Sequence, residues 1–258
     1  RNGADVVDPR TDDILARDLA ADAGRVLLRI RADFPADGDG KELKSAGDTG
    51  SHDFLMAMLA QSRPQDAVLS EEGADDPARL SAERVWIVDP LDGTREFSER
   101  PRDDWAVHVA LWERGELVAG AVALPAREQV FATDAPPPIP PANGGKIRLA
   151  VSRSRPPAWL PALVEALDAE VVPMGSAGVK AVSVLDGSTD AYVHAGGQYE
   201  WDSAAPVAVA AAAGLHTSRV DGSPLVYNQP NVLLPDLVVC RPELAEQILA
   251  AVARLDLA

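Results

Sequence analysis

The segment Trp86-Ile87-Val88-Asp89-Pro90-Leu91-Asp92-Gly93-Thr94 constrains this chain more than any other stretch. The apolar run Val85 to Val88 predicts a buried strand, and it stops abruptly at two aspartates that bracket a proline. Pro90 locks the local turn, so both carboxylates and one backbone carbonyl between them can aim at a common point beyond the strand end. The N–H groups of Gly93 and Thr94 are then left to meet an anion, and the Thr94 hydroxyl can join a proton relay. Asp-Pro and Asp-Gly are also ordinary turn pairs, so the segment taken alone fits a plain turn equally well.

Other acids sit in comparable places. Glu71 follows the short apolar run Ala67 to Leu69, and Asp202 opens an Ala-rich helical pattern that runs to Ala213 before Gly214. Glu71, Asp89, Asp92 and Asp202 in one cleft would repel and raise one another's pKa, so keeping them ionised at neutral pH requires cations. Hard ions with oxygen ligands fit, and two Mg²⁺ ions about 3.5–4 Å apart form the familiar clamp for phosphoryl hydrolysis. The charge balance agrees: 40 acidic residues against 24 basic ones give a net charge of −16, and the pI is about 4.6. A nucleic-acid binder held by phosphate contacts is excluded, and a polyanionic partner would be repelled unless metal ions intervened. One cysteine, Cys240, rules out an intramolecular disulfide framework and a multi-Cys zinc site, and the four histidines show no HExxH-like pair. No apolar run approaches the roughly 20 residues that span a bilayer, and RNGADVVDPR at the N-terminus has neither an apolar h-region nor a cleavage site. A soluble, cytoplasmic protein is expected, although the chain starts at Arg1 without Met.

The remaining pattern is layered. Thr11 to Arg31 predicts an amphipathic helix with Ile14, Leu15, Leu19, Val26, Leu27 and Ile30 on one face; Phe34 to Ser45 reads as a loop, and Asp48 stands near the start of a second helix carrying Phe54, Leu55, Met58 and Leu59. Trp105 to Trp112, Leu117 to Leu124 and Gln129 to Ala132 predict antiparallel strands. The stretch APPPIPPANGG, 135–145, is a linker or surface loop and the expected boundary between an N-terminal half, 1–143, and a C-terminal half, 144–258. After it Ile147–Val151, Pro157–Leu167, Val171–Pro173, Ser176–Leu185 and Asp190–His194 alternate between strand and helix. Pro206 is expected in about the first turn of the helix that Trp201 opens. No internal repeat is evident.

Three motifs in order carry a resemblance: Ser70-Glu71-Glu72, Trp86 to Thr94, and Trp201-Asp202-Ser203-Ala204-Ala205. The chain resembles the lithium-sensitive, Mg²⁺-dependent phosphatase superfamily of inositol monophosphatase, fructose-1,6-bisphosphatase and the bisphosphate nucleotidases. The resemblance covers most of the chain and implies an α/β (α+β) fold, a layered αβαβα sandwich. It implies metal ligation of two or three Mg²⁺ ions by Glu71, Asp89, Asp92, Asp202 and the carbonyl of Leu91. The family's relay aspartate stands 23 residues before the first motif glutamate, which is Asp48 here. Asp48 and Thr94 would orient the attacking water, and Glu71 would contact a metal that carries it, for in-line attack on phosphorus. Asp53 competes with Asp48 and reads otherwise as a solvated acid.

The glutamate that inositol monophosphatases place seven residues before the second-domain aspartate is Ala195 here, which argues against an inositol substrate. His194-Ala-Gly-Gly-Gln-Tyr-Glu-Trp-Asp202 and Gly175-Ser-Ala-Gly-Val-Lys180 are instead similar to bacterial CysQ-type 3′(2′),5′-bisphosphate nucleotidases. That likeness implies removal of the 3′-phosphate of 3′-phosphoadenosine 5′-phosphate, with Asp92, Gly93, Thr94, Ser176, Lys180 and Asp202 contacting substrate. Ser176 could equally cap a helix, and Lys180 could face solvent from one. Tyr199 and Trp201 are candidates to stack on adenine, but Trp201 belongs to the general motif and reads as core. Lys44-Ser-Ala-Gly-Asp48 departs from the family's usual lysine and Ser-Pro-Val segment, which bears on the third metal and the loop covering the cleft. Arg95, Glu96 and Arg102-Asp103-Asp104 read as solvated loop charges, and His52, His108, His194 and His216 as structural. The rival functions are an inositol-phosphate or fructose-1,6-bisphosphate phosphatase, and a non-catalytic, metal-dependent nucleotide-binding protein. The expected partner is a small phosphorylated molecule, with no nucleic acid and no membrane, and homologues often pair as homodimers.

Overall fold

The structure, a computed structural model, describes residues 8–258; of the N-terminal segment read above for a leader, Arg1 to Val7 lie outside the described residues. The chain opens with two long helices, α1 (Asp12–Asp33) and α2 (Gly40–Ser62). The first sheet follows, with strands β1 (Ala67–Ser70), β2 (Arg84–Asp92), β3 (Ala106–Glu113), β4 (Glu116–Leu124) and β5 (Gln129–Ala132) in that spatial order, and a short helix α3 (Thr94–Ser98) between β2 and β3. β1 pairs with β2 in parallel and the other neighbours are antiparallel. The chain then runs through β6 (Arg148–Ser152), α4 (Leu160–Leu167), β7 (Glu170–Met174), α5 (Ala177–Leu185), β8 (Ala191–Ala195), α6 (Glu200–Ala212), β9 (His216–Ser218), β10 (Asp236–Cys240) and α7 (Ala245–Val252). The second sheet has the order β7-β6-β8-β10-β9.

Three apolar clusters place the layers. One joins α1 and α2 to a face of the first sheet through Leu15, Leu19, Leu55, Trp86 and Val109. A second joins the opposite face of that sheet, through Ile87 and Val122, to α5, α6 and the second sheet at Ala150, Tyr192 and Val239. The third closes the far face of the second sheet with Leu163 of α4 and Ile248 of α7. The result is the αβαβα sandwich. Its middle layer lies between two sheets, so its helices must be apolar around most of their circumference: Gly178 to Leu185 of α5 and Ser203 to Ala210 of α6 are buried without interruption. The alanines of α6 keep that layer thin.

Four local expectations need correction. Phe34 to Ser45 is not a loop throughout, because α2 begins at Gly40, with the Asp39 side chain accepting the Lys41 N–H as its cap. The buried stripe runs Leu43, Gly47, Ser51, Leu55, Leu59, so two of its members are small residues with no apolar signal. Asp48 consequently lies well inside α2 rather than near its start. Pro206 falls in the second turn of α6, not the first. Ile14 is 41% exposed, off the buried face of α1 on which Leu15, Leu19 and Leu27 lie.

Candidate active site

The β2–β3 pairing explains how the aspartates converge. Side chains alternate along a strand, so residues three apart face opposite ways in regular pleat. Here Asp89 lies opposite His108 and Asp92 opposite Ala106, so the strand carries one extra residue between the pairs, a β-bulge at Pro90-Leu91. The bulge resets the alternation: Leu91 joins Val88 in the cluster under α1 and α2, and Asp89 and Asp92 both face the middle layer. Ser51 of α2 donates its hydroxyl to the Pro90 carbonyl at 2.6 Å, and the Asp89 carboxylate accepts the Leu91 N–H at 3.2 Å.

Asp202, in the first turn of α6, completes a trio: carboxylate oxygens of Asp89, Asp92 and Asp202 lie within 4.8 Å of one another. Glu71, directly after β1, stands beside Asp89 at the edge of this trio and is open to the cleft. Burial, followed by repulsion from Glu71 and Asp92, raises the pKa of Asp89. Burial and Asp92 push Asp202 up to about 7. Burial also works against Asp92, but His108, Ser176 and the Gly178 N–H outweigh it and hold Asp92 down at about 2. Asp92 Oδ2 accepts the Ser176 hydroxyl and, at 2.8 Å, the Gly178 N–H. Such an oxygen-only donor set, crowded and partly protonated without a counter-charge, fits a hard divalent cation.

Asp48 approaches from α2, with its Oδ1 buried and without a hydrogen-bond partner. Burial, then the nearby Glu72 charge, pushes its pKa up to about 7. One turn further along α2, His52 Nδ1 lies 3.0 Å from Ser70 Oγ, next to Glu71. No hydrogen bond joins Asp48 to Thr94, which begins α3. Gly93 caps that helix at φ +82°, and a Cβ there would press on Ser176 at 3.1 Å and the Asp104 carbonyl at 3.2 Å, so glycine is required both for conformation and for space. Asp53 is exposed, as a solvated acid.

A cavity of about 420 Å³ opens from the trio between the two sheets, lined among others by Thr94, Ser176, Lys180, Tyr192, His194 and Ala195. Lys180 does not face solvent: it is 8% exposed, its ammonium lies 5.5 Å from the Tyr192 ring centroid, and it makes no salt bridge among the described residues. Burial lowers its pKa against the pull of Asp92 and Glu96. Ser176 is committed twice over, donating to Asp92 and accepting the Val179 N–H as the cap of α5, at the unusual backbone angle φ +67° for a residue other than glycine.

Several charges are not the solvated groups the sequence suggested. Glu96 is buried and pairs with Arg153 at 3.0 Å, and the buried Asp104 accepts the Gly175 N–H at 2.8 Å, both ties between the first sheet's connections and the second half of the chain. Tyr199 and Trp201 stack on each other, with centroids 5.1 Å apart and planes 12° apart. His108 is the functional neighbour that sequence reasoning missed. It is fully buried, with Nε2 3.1 Å from Asp92 Oδ2, and nothing in the local sequence signalled it, because its place opposite Asp89 follows from the pairing of β2 with β3.

The model of the inositol monophosphatase family matches residues 8–257. The 3′-phosphoadenosine 5′-phosphate phosphatase of Mycobacterium bovis is 53% identical over 244 residues, 90% of each chain. The 3′(2′),5′-bisphosphate nucleotidase CysQ of Escherichia coli is 30% identical over 236 residues, 81% of this chain and 91% of its own. The crystal structure of CysQ from Bacteroides thetaiotaomicron superposes with a TM-score of 0.76 at 26% identity, covering 89% of this chain and 97% of that one. A match over nearly the whole described chain, relatives that are phosphatases, and an acid cluster in the crevice of the αβαβα sandwich agree: the chain belongs to the inositol monophosphatase family.

Proposed function

We propose that the protein is a Mg²⁺-dependent, lithium-sensitive phosphatase that removes the 3′-phosphate of 3′-phosphoadenosine 5′-phosphate. The carrying observation is the bulge in β2, which turns Asp89 and Asp92 to the same side, within reach of Asp202 and at the mouth of a cavity that holds the buried Lys180 ammonium, which makes no salt bridge among the described residues. Asp89, Asp92, Asp202, Glu71 and the Leu91 carbonyl would hold the ions. Two or three Mg²⁺, when bound, supply charge neutralisation of the phosphoryl oxygens and a lowered pKa for the attacking water.

The chain's own residues do the rest. Asp48, with a pKa near 7 and an unpartnered oxygen, accepts the proton of the water that attacks phosphorus, and Thr94 orients that water from the start of α3. Gly93 and Thr94 offer N–H groups to the phosphate. Ser176 keeps Asp92 oriented, so its part in substrate binding is through that carboxylate and the edge of the cavity. Lys180 meets the second negative charge of the substrate; its burial makes an anion there more strongly bound than at a solvated lysine. Ala195 lines the cavity where a carboxylate for sugar hydroxyls would otherwise project, which leaves room for a base and favours the nucleotide over an inositol phosphate. The halves 1–143 and 144–258 cooperate in this assignment, the first supplying Asp48, Glu71, Asp89, Asp92 and Thr94, the second Ser176, Lys180 and Asp202. We place the activity in the cytoplasm, where such nucleotides arise.

The test is phosphate release from 3′-phosphoadenosine 5′-phosphate, inositol 1-phosphate and fructose 1,6-bisphosphate, each with Mg²⁺, with EDTA and with Mg²⁺ plus Li⁺. Preferred turnover of the nucleotide, lost in EDTA and inhibited by Li⁺, is expected. Faster turnover of a sugar phosphate would defeat the specificity assigned to Ala195 and Lys180, and nucleotide binding without release would favour a non-catalytic role.

A further inference from the structure

The two segments that carry the acid trio, β2 and the start of α6, meet on one side chain. His108 lies in the middle of β3, fully buried, and pairs across the sheet with Asp89. Its Nδ1 lies 2.9 Å from the carbonyl oxygen of Trp201, the residue before Asp202. A carbonyl only accepts, so Nδ1 bears a hydrogen and donates it. On the other edge of the ring, Nε2 sits 3.1 Å from Asp92 Oδ2, the oxygen that also takes the Gly178 N–H. The fit is close: a Cβ on Gly178 would lie 2.2 Å from His108 Nε2, and its three nearest atoms would all belong to that ring.

Pro206 has no N–H to give the carbonyl of Asp202, so the first turn of α6 is one helical bond short at the ligand itself. The His108 ring reaches the same turn from the sheet. An apolar side chain of similar volume would fill the space but would not donate to the Trp201 carbonyl.

We infer that His108 is a positioning residue for cation binding, tying the β2 bulge and the start of α6 together so that Asp92 and Asp202 are held at ligand spacing. The inference rests on the assignment of the trio as a cation site. Groups that orient the first ligands of a metal are commonly worth about 10–100-fold in affinity, and His108 lies against both the Asp92 carboxylate and the Asp202 turn.

The experiment is direct Mn²⁺ binding by calorimetry on the wild type, His108→Leu, His108→Asn, Gly178→Ala and the His108→Asn/Gly178→Ala pair, with melting temperatures and Mg²⁺-activation curves alongside. His108→Leu should weaken Mn²⁺ binding about tenfold or more and raise the Mg²⁺ needed for half-maximal rate, while KM for the nucleotide at saturating Mg²⁺ moves far less. Asparagine places an N–H near the position of Nδ1, so His108→Asn should recover much of the loss. Gly178→Ala should weaken Mn²⁺ binding by displacing the ring, and that penalty should shrink in the His108→Asn background, a coupling that a purely packing role does not produce. Wild-type Mn²⁺ affinity in His108→Leu, or equal losses in the leucine and asparagine variants, would overturn the inference. Should His108→Leu fail to fold, the Gly178 pair decides alone, and additive effects there count against it. A wild type that binds no Mn²⁺ at all would instead remove the cation-site assignment itself.

Discussion

At the scale of single residues, the site separates charge from placement. Asp89 and Asp92 are both buried carboxylates on one strand, yet one is pushed towards its protonated form and the other kept ionised, because His108, Ser176 and the Gly178 N–H surround Asp92, whereas Asp89 is buried against Glu71 and the other acids with only the Leu91 N–H to offset them. Asp89→Asn removes a charge at constant volume; it should lower phosphate release more than about 100-fold and leave the melting temperature of the metal-free protein unchanged or higher, since a repelling carboxylate is gone. Lys180→Met tests the other pole of the cavity. A buried charge-assisted contact is worth about 1.5–3 kcal/mol, so KM for the nucleotide should rise roughly 10- to 100-fold with a smaller change in kcat. Equal loss on 3′-phosphoadenosine 5′-phosphate and on a substrate with a single phosphate would count against its assignment to the second charge.

At the scale of elements, the β2 bulge and α2 work as a pair. The Ser51 hydroxyl is the fastening between them, and its acceptor is the carbonyl of the residue that makes the bulge. Ser51→Ala leaves that buried carbonyl without its partner, at a cost of about 1–3 kcal/mol in stability, and should lower kcat by loosening Asp89 relative to Asp48. Chemical denaturation and steady-state rates on the same preparation check both halves of that expectation. The stripe Leu43, Gly47, Ser51, Leu55, Leu59 also shows why α2 was legible only from near Asp48 onward, through Phe54, Leu55, Met58 and Leu59. A helix that must let a strand motif come close uses small residues where it touches, and small residues carry no hydrophobic period.

At the scale of the whole molecule, the metal-free protein should carry an electrostatic burden at neutral pH. Asp48 and Asp202, each held near 7 when folded, bind protons that the unfolded chain releases near pH 4, so their contribution to stability falls as pH rises between those values. His194, lowered by burial to about 4, contributes in the opposite sense, which makes the difference between metal-loaded and metal-free protein the cleaner observable. Cations displace those protons, so the rise in melting temperature on adding Mg²⁺ should be larger at about pH 8 than at about pH 6, and Asp202→Asn should flatten that dependence. A Mg²⁺ effect independent of pH would contradict the raised values. The layered class, the strand that ends in Asp89-Pro-Leu-Asp92-Gly-Thr94 and the identity of the acids are legible in the amino-acid order alone. Period, turn chemistry and local order are written in neighbouring residues, and the motifs that carry the family resemblance are short and contiguous. The burial of Lys180 and Glu96, the service of Ser176 to Asp92 and the place of His108 between Asp92 and the turn of Asp202 emerge only in the folded chain. Those facts depend on α5 and α6 lying between two sheets, and burial between layers far apart in the chain leaves no mark on local sequence.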